Sequence, residues 1–268
     1  MARGRISSRP IDDIVDEITA LSKNGYSEIV LVGIDLSSYG KQFSKTLTDA
    51  VEAVAQIPDV KRIRLGSLEP EIISDDDLKR LSKIDKFCPQ FHLSLQSGCD
   101  KTLKRMNRHY TCAEYREIVE KIRSAFENSS ITTDVMVGFA GESAEDFEDS
   151  LKFVKDIGFL KVHVFPYSIR KGTKAADFTD HIDGETKKKR AKIMLSETEK
   201  IRKQILENQI GRTCEVLLES KTKNGCAFGY TKDYLPVYVR DCSLLVGSFC
   251  NVKIDGVEND GCTAICLS

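Results

Sequence analysis

The sequence predicts an α/β fold followed by a small all-β barrel, and three observations carry that reading. Five apolar strands, EIVLVGI, KRIRLGS, FHLSLQ, ITTDVMVGF and KVHVFPYS, recur along residues 28–168, each ending in a polar or glycine-bearing loop. The first four lead into helices near Thr46, Asp75, Cys112 and Ala144, an alternation that argues for βα units in a parallel sheet. After Gly211 come five short alternating runs, CEVLLES, CAFGY, LPVYV, CNVKI and TAICL, separated by Gly, Asn and Asp. They read as a five-stranded antiparallel unit of a size that suits a small barrel. The βα alternation alone fits a barrel and a doubly wound open sheet equally, and five strands are too few to close a barrel.

Taken in order, Arg3, Arg5 and Arg9 form a basic arm ending at Pro10. Ile11, Ile14, Val15, Ile18 and Leu21 then recur at helical spacing, with Pro10 where a helix start tolerates it and Asn24-Gly25 as the stop. Glu28 to Ile34 is a continuous apolar run, which predicts a strand buried on both faces. Phe91 to Thr111 holds the clearest switch: an alternating strand to Leu95, a polar turn at Gln96-Ser97-Gly98, then a basic helix over Lys101 to Arg108. Ser143 followed by Asp146 forms a capping pair, Phe147, Leu151 and Val154 the apolar face, and Gly158 the end of the next helix. Residues 168–184 make a polar loop too long for a plain connection. Glu185 to Asn208 reads as a charged helix whose Lys187, Lys188, Lys189, Arg190 and Lys192 form a solvated face near a domain boundary. The expected division is 1–210 and 211–268.

Composition narrows the function classes. A net charge of −1 over 268 residues gives no general attraction to nucleic acid or membrane, so any such surface is local. No apolar run approaches the roughly 20 residues that span a bilayer, and MARGRISSRP lacks the apolar middle of a signal peptide, so a cytoplasmic protein is expected. Nine cysteines, scattered singly, argue for reduced thiols that fill small apolar spaces.

The strand-end loops carry glycines that let backbone approach a ligand, beside Ser, Glu, Gln and Arg side chains that orient a polar small molecule. Together they outline a cofactor pocket. His92, His109, His163 and His181 show no ligand spacing such as HxxxH. Cys99 and Cys112, with no third thiol near in sequence, do not make an iron site, and Cys262 and Cys266, four apart on a strand, share a face as packing residues. No nucleophile with a paired base stands out, which argues against an ordinary metal-independent α/β enzyme.

The string LQSGCDKTLKRMNRHYT, with VGIDLSSYG before it and VMVGFAGES and HVFPYSIRKGTKA after it, resembles the radical S-adenosylmethionine domain of the tRNA methylthiotransferases, most closely the MtaB-like branch acting on threonylcarbamoyladenosine. GYTKDYLPVYV is similar to the TRAM domain of that family, a small β-barrel associated with tRNA binding. The resemblance implies a partial TIM-type (β/α) radical SAM barrel lacking its first strand, then a TRAM barrel. It implies an enzyme family in which one S-adenosylmethionine supplies a methyl group and another is cleaved to a radical, with sulfur and methyl entering at carbon 2 of a modified adenosine beside the anticodon. Two 4Fe-4S clusters serve that chemistry.

The sequence departs from the family decisively: it contains no CxxxCxxC, so the cluster ligands are absent here and the chain alone is not expected to be active. Ala2-Arg3-Gly4-Arg5 matches the tail of the family's cluster loop, which points to a separate or upstream N-terminal fragment. By resemblance, Gly33, Asp35, Ser37 and Ser38 line the methionine end of S-adenosylmethionine; Ser67 and Glu69 contact its ribose; Gln96, Arg108, Asp134 and Gly138 belong to the following strand ends; Tyr167, Arg170 and Thr173 close the pocket. No catalytic residue and no metal ligand is assigned. Ala140 replaces the proline of the family's GFPGE, a change expected to loosen that turn.

The expected partner is a tRNA anticodon stem-loop, with no membrane. Phe228, Tyr230, Tyr234 and Tyr238 are candidates for base stacking, at least half of them being expected in the core. Two rival readings stand: an inactive fragment acting as a tRNA-binding module, and a methylthiotransferase of the isopentenyladenosine branch.

Overall fold

The computed structural model describes residues 7–221, 226–240, 242 and 244–267, the side chains of Ser37 and Ile72 excepted. Arg3, Arg5 and the Ala2-Arg3-Gly4-Arg5 match lie outside them. The elements in order are α1 (Ile11–Lys23), β1 (Glu28–Leu31), α2 (Leu47–Ala55), β2 (Arg62–Leu65), β3 (Ser67–Leu68), α3 (Asp75–Leu81), β4 (Gln90–Leu93), α4 (Asp100–Arg105), α5 (Cys112–Ala125), β5 (Ser130–Val137), α6 (Ala144–Ile157), β6 (Lys161–Pro166) and α7 (Gly184–Glu207). Then come β7 (Thr213–Lys221), β8 (Ala227–Thr231), β9 (Pro236–Arg240), β10 (Phe249–Glu258) and β11 (Gly261–Cys266).

Local chemistry accounts for the helix starts. Thr46, Ser74 and Ser143 each accept the backbone N–H three residues on, while Asp49, Asp77 and Asp146 accept back from the cap. Each capping box satisfies two backbone donors that a helix start otherwise leaves open. Gly158 ends α6 at φ 69°, a conformation that glycine enters without steric cost.

The chain forms two compact units: residues 1–91, 122–130 and 206–268, and residues 92–121 and 131–205. In the first, β1 and β2 pair in parallel, as the βα reading predicts. The expectation that β1 is buried on both faces fails. Val30, Val32 and Ile34 are 49%, 74% and 80% exposed. The apolar run is covered on one side only, because β1 and β2 form a two-stranded sheet among the described residues. A groove of about 870 Å³ runs along β1, walled by Ile18, Leu21 and residues 29–36.

In the same unit, β7 to β11 close into a barrel in the order β10-β11-β9-β8-β7. It is not wholly antiparallel: β9 and β11 run in parallel. A ring of five strands cannot alternate direction all the way round, so one pair must be parallel. The small interior takes small side chains such as Ala227, Thr231, Val237 and Ala264. Gly229 is needed there, since a Cβ would stand 1.9 Å from the Leu217 carbonyl oxygen, beside the bulge between Leu218 and Ser220.

Arg62 and Arg64 of β2, 1% and 2% exposed, bind this barrel. Arg62 donates to the carbonyls of Tyr230 (3.0 Å) and Glu215 (2.9 Å). Arg64 donates to the carbonyls of Lys232 and Thr231, each at 2.9 Å, and grips Glu28 with Nε (2.7 Å) and Nη2 (3.1 Å).

In the second unit β4, β5 and β6 lie side by side. β5 and β6 run parallel, and Gln96 continues the β4 line as a parallel bridge to Val135. One face packs on helices: Tyr115 of α5 is fully buried and donates to the Leu93 carbonyl (3.0 Å). α7 is not the solvated helix expected throughout, since Arg190 is 9% exposed.

Candidate functional site

Side chains two apart on a strand share a face. That parity brings His92 of β4, Asp134 of β5 and His163 of β6 into one row on the face of the sheet away from α5. Asp134 and His163 are directly paired in register, and the ring nitrogens and a carboxylate oxygen of the three lie within 4.8 Å of one another. His92 Nε2 is 3.5 Å from Asp134 Oδ1, and its Nδ1 is 3.0 Å from Thr132 Oγ1. The bond from His92 holds the Asp134 carboxyl below the usual carboxylate range, against burial. Burial, with Lys161 beside it, pushes the His163 imidazole down. The row thus combines an ionised carboxylate with imidazoles, a set able to hold or move a proton. The sequence reading set these histidines aside because they are far apart in the chain. The signal that finds them is alternation: His92, Ser94 and Gln96 fall on one face, as do Asp134 and Thr132.

Gln96 sits at the head of this row in the left-handed region, φ 64°, a conformation uncommon for a non-glycine residue. Its N–H donates to the Asp134 carbonyl and its own carbonyl accepts from Met136, both at 2.8 Å. Gly98 follows, donating to Ser150 Oγ at 2.9 Å, so the turn is fastened to α6. A Cβ on Gly98 would stand 2.8 Å from both Phe153 Cβ and the Ser150 carbonyl oxygen. Gly98→Ala is expected to destabilise by about 1–3 kcal/mol, an overpacking cost, read as a lowered thermal midpoint. Arg108 is half-buried and closes α4 through its N–H to Leu103 (3.0 Å).

Gly138, φ 70°, donates to Glu142 Oε1 (2.9 Å), and Glu142 N–H returns to the Phe139 carbonyl (3.0 Å). Arg105 Nε holds the Ala140 carbonyl at 2.9 Å. With Ala140 fully buried, the turn expected to be loose is closed by these bonds. Arg190 Nη1 reaches Glu142 Oε1 at 2.6 Å, making a buried ion pair under the loop. Burial nevertheless pushes the Glu142 carboxyl up, ahead of the lowering by the Gly138 N–H and Arg190. Neither Glu142 nor Arg190 was singled out from sequence as a site residue, because a buried role is invisible in a lysine-rich helix.

Tyr167 is buried at the end of β6, its ring against Phe139 (4.9 Å) and stacked on His181. Its Oη has no hydrogen-bond partner. Arg170 and Thr173 are exposed and joined in a turn, Thr173 Oγ1 donating to the Arg170 carbonyl at 2.8 Å.

The remaining candidates belong to the first unit. Ser38 is buried and donates to Asp35 Oδ2 at 2.6 Å, while Gly33 and Asp35 are exposed; the Ser37 side chain lies outside the described residues. Ser67 is exposed and Glu69 half-buried, beyond Gly66, whose N–H donates to the Leu31 carbonyl (2.8 Å).

On the barrel, all four aromatic candidates lie outside the interior, contrary to the expectation that half are core. Phe228 meets Tyr230 (5.2 Å) and Tyr238 (5.0 Å), and Tyr230 stacks on Tyr234 at 4.4 Å. Arg64 lies over Tyr234 at 4.9 Å. The interior is lined by small alternate side chains, so strand alternation puts Phe228, Tyr230 and Tyr238 on the outer surface, where Tyr234 of the β8–β9 turn joins them.

Comparisons with known proteins accord with this anatomy. Residues 1–154 match the Radical SAM superfamily and residues 207–260 the TRAM domain. The chain is 37% identical over 262 residues to "Threonylcarbamoyladenosine tRNA methylthiotransferase MtaB" of Chlamydia pneumoniae, covering 97% of this chain and 61% of that protein. It is 39% identical over 252 residues to "tRNA-2-methylthio-N(6)-dimethylallyladenosine synthase" of Endomicrobium trichonymphae, covering 94% and 60%. Coproporphyrinogen III oxidase (HemN) from Escherichia coli, a solved structure, shares the fold with a TM-score of 0.53 at 12% identity, over 94% of this chain and 62% of that one. The chain spans about three fifths of the length of these two curated relatives. It belongs to the radical SAM superfamily and carries a TRAM domain.

Proposed function

We propose that this chain is the S-adenosylmethionine-binding and RNA-binding portion of a cytoplasmic transferase that adds a methylthio group to carbon 2 of N6-threonylcarbamoyladenosine beside the tRNA anticodon. The observation that carries the reading is the row of His92, Asp134 and His163, headed by Gln96, on one face of a parallel sheet. Tyr167 supports a ligand at the same strand ends: an unpartnered buried hydroxyl costs about 1–3 kcal/mol, which a bound polar molecule relieves. In this reading Gly33, Asp35, Ser37 and Ser38 hold the methionine end of the cofactor, and Ser67 and Glu69 its ribose. Gln96, Arg108, Asp134 and Gly138 orient it, while Tyr167, Arg170 and Thr173 cover it. Residues 1–210 form the partial barrel with its linking helix and residues 211–268 the RNA-binding domain.

The cysteines of this chain do not fit a 4Fe-4S cluster. Its one convergent thiol group among the described residues lies in the TRAM barrel with sulfurs within 4.8 Å, closer than thiolates on separate irons of a cubane. No CxxxCxxC occurs among these 268 residues.

The decisive measurement is nucleoside analysis of tRNA from a strain lacking the gene. Loss of 2-methylthio-N6-threonylcarbamoyladenosine, with the unthiolated nucleoside retained, is the expected result. Loss of the isopentenyl counterpart instead moves the protein to that branch, and an unchanged profile rejects both.

The aromatic strip favours a second reading, RNA binding without chemistry. Tyr234→Ala is expected to weaken binding of an anticodon stem-loop by roughly 5- to 150-fold, from about 1–3 kcal/mol of stacking per base. Polarisation titration checks it, and equal affinity of parent and variant removes the strip from the interface.

A further inference from the structure

Three thiols far apart in sequence meet at the barrel. Cys242 lies between β9 and β10, Cys250 is the second residue of β10, and Cys266 is the last of β11. Their sulfurs lie within 4.8 Å of one another, with Cys250 and Cys266 at 2.8 Å. Cys250 is 3% and Cys242 9% exposed. Cys266 therefore belongs to this group, whereas Cys262 is buried with its sulfur 3.9 Å from the Leu206 carbonyl. The pairing of Cys262 with Cys266 as one packing face does not describe what Cys266 does.

We propose that Cys242, Cys250 and Cys266 bind a single thiophilic d10 metal ion.

Three sulfurs sharing one ion at about 2.3 Å in a trigonal arrangement stand roughly 4 Å apart, so the three here, all within 4.8 Å of one another, need only the close Cys250–Cys266 pair to open for an ion to sit among them. Among the described residues no histidine or carboxylate joins the group, so the donor set is all sulfur, and soft donors select Zn²⁺, Cd²⁺ or Cu⁺ over hard cations. Burial, with Cys266 and Cys242 beside it, pushes the Cys250 thiol up. A cation reverses that electrostatic balance, and each ligating thiol releases its proton as the ion enters. A disulfide would use only Cys250 and Cys266, closing them to about 2.05 Å and leaving Cys242 a buried odd thiol. A metal uses all three. The site also ties the last strand to the β9–β10 connection, in a barrel too small to gain much from its apolar core alone.

The test uses the whole chain, purified in a reducing agent, stripped with chelator and titrated with Cd²⁺. One Cd²⁺ per chain with a thiolate-to-cadmium ultraviolet band, and a thermal midpoint raised by the metal, are expected. Cys250→Ser and the more exposed Cys266→Ser should each lose at least about tenfold in affinity, the lower bound seen even for outer-shell partners, while Cys112→Ser, in the other unit, binds as the parent does. Circular dichroism identifies any variant that fails to fold, and Cys242→Ser then replaces it. Absence of Cd²⁺ binding by the parent overturns the proposal. So does uptake unchanged in the three cluster variants, or recovery of a Cys250–Cys266 disulfide in protein that takes up no metal.

Discussion

Arg64→Ala is expected to lower the unfolding free energy by about 3–5 kcal/mol, the usual cost of stripping one partner from a buried ion pair. The guanidinium is nearly inaccessible and serves three acceptors at once: the Glu28 carboxylate and the carbonyls of Thr231 and Lys232. Removing it leaves Glu28, whose side chain is 12% exposed, with Arg62 at 3.7 Å, and takes the guanidinium from the Lys232 carbonyl and from the Thr231 carbonyl, which keeps the Tyr234 N–H. Lysine should recover little, because one ammonium cannot reproduce the fork that meets both oxygens of Glu28. The double replacement Arg64→Met with Glu28→Gln should cost much less than Arg64→Ala, since no charge is then stranded. Urea unfolding of the variants measures all of this, and a loss below about 1 kcal/mol for Arg64→Ala would mean that water reaches the pair.

The second large effect is expected at Arg190. Arg190→Met strands Glu142, whose side chain is 1% exposed, again at a cost of about 3–5 kcal/mol near neutral pH. The pH dependence has a definite sign. Burial places the folded Glu142 carboxyl above its unfolded value of 4.5, so across that window the folded chain holds a proton that the unfolded chain has lost. The contribution of this group to stability is therefore greatest below the unfolded value and falls as pH rises through the window. Without Arg190 the carboxyl moves further up and the window widens. The deficit of Arg190→Met should accordingly be smaller at about pH 5 than at about pH 7.5. Denaturant midpoints at the two pH values check it, and a deficit independent of pH would mean that Glu142 stays ionised without its partner.

Much of the architecture is legible in the chain because it rests on local rules. Ser143 and Asp146 announce α6 through the capping box, Gly158 its end, and the alternation of the last five runs the barrel. What the chain conceals depends on partners distant in sequence. Arg62 and Arg64 look like the solvated residues of a strand, yet both are buried because barrel carbonyls more than 150 residues away receive them. Arg190 sits in a run of lysines, and only the turn at Gly138 to Glu142 reveals its task. Of the candidate site, the backbone positions at Gln96, Gly98 and Gly138 are readable as turns. The row of His92, Asp134 and His163 is a product of register, which sequence spacing does not record.

The bare face of β1 has a consequence for the protein as a solute. Val30, Val32 and Ile34 lie in or just beyond a strand with no second neighbour among the described residues, where a foreign strand finds both backbone partners and apolar side chains. A net charge of −1 offers almost no long-range repulsion to oppose that encounter. Self-association of this chain through this short apolar margin is therefore expected, and Val32→Lys should reduce it, as light scattering reads.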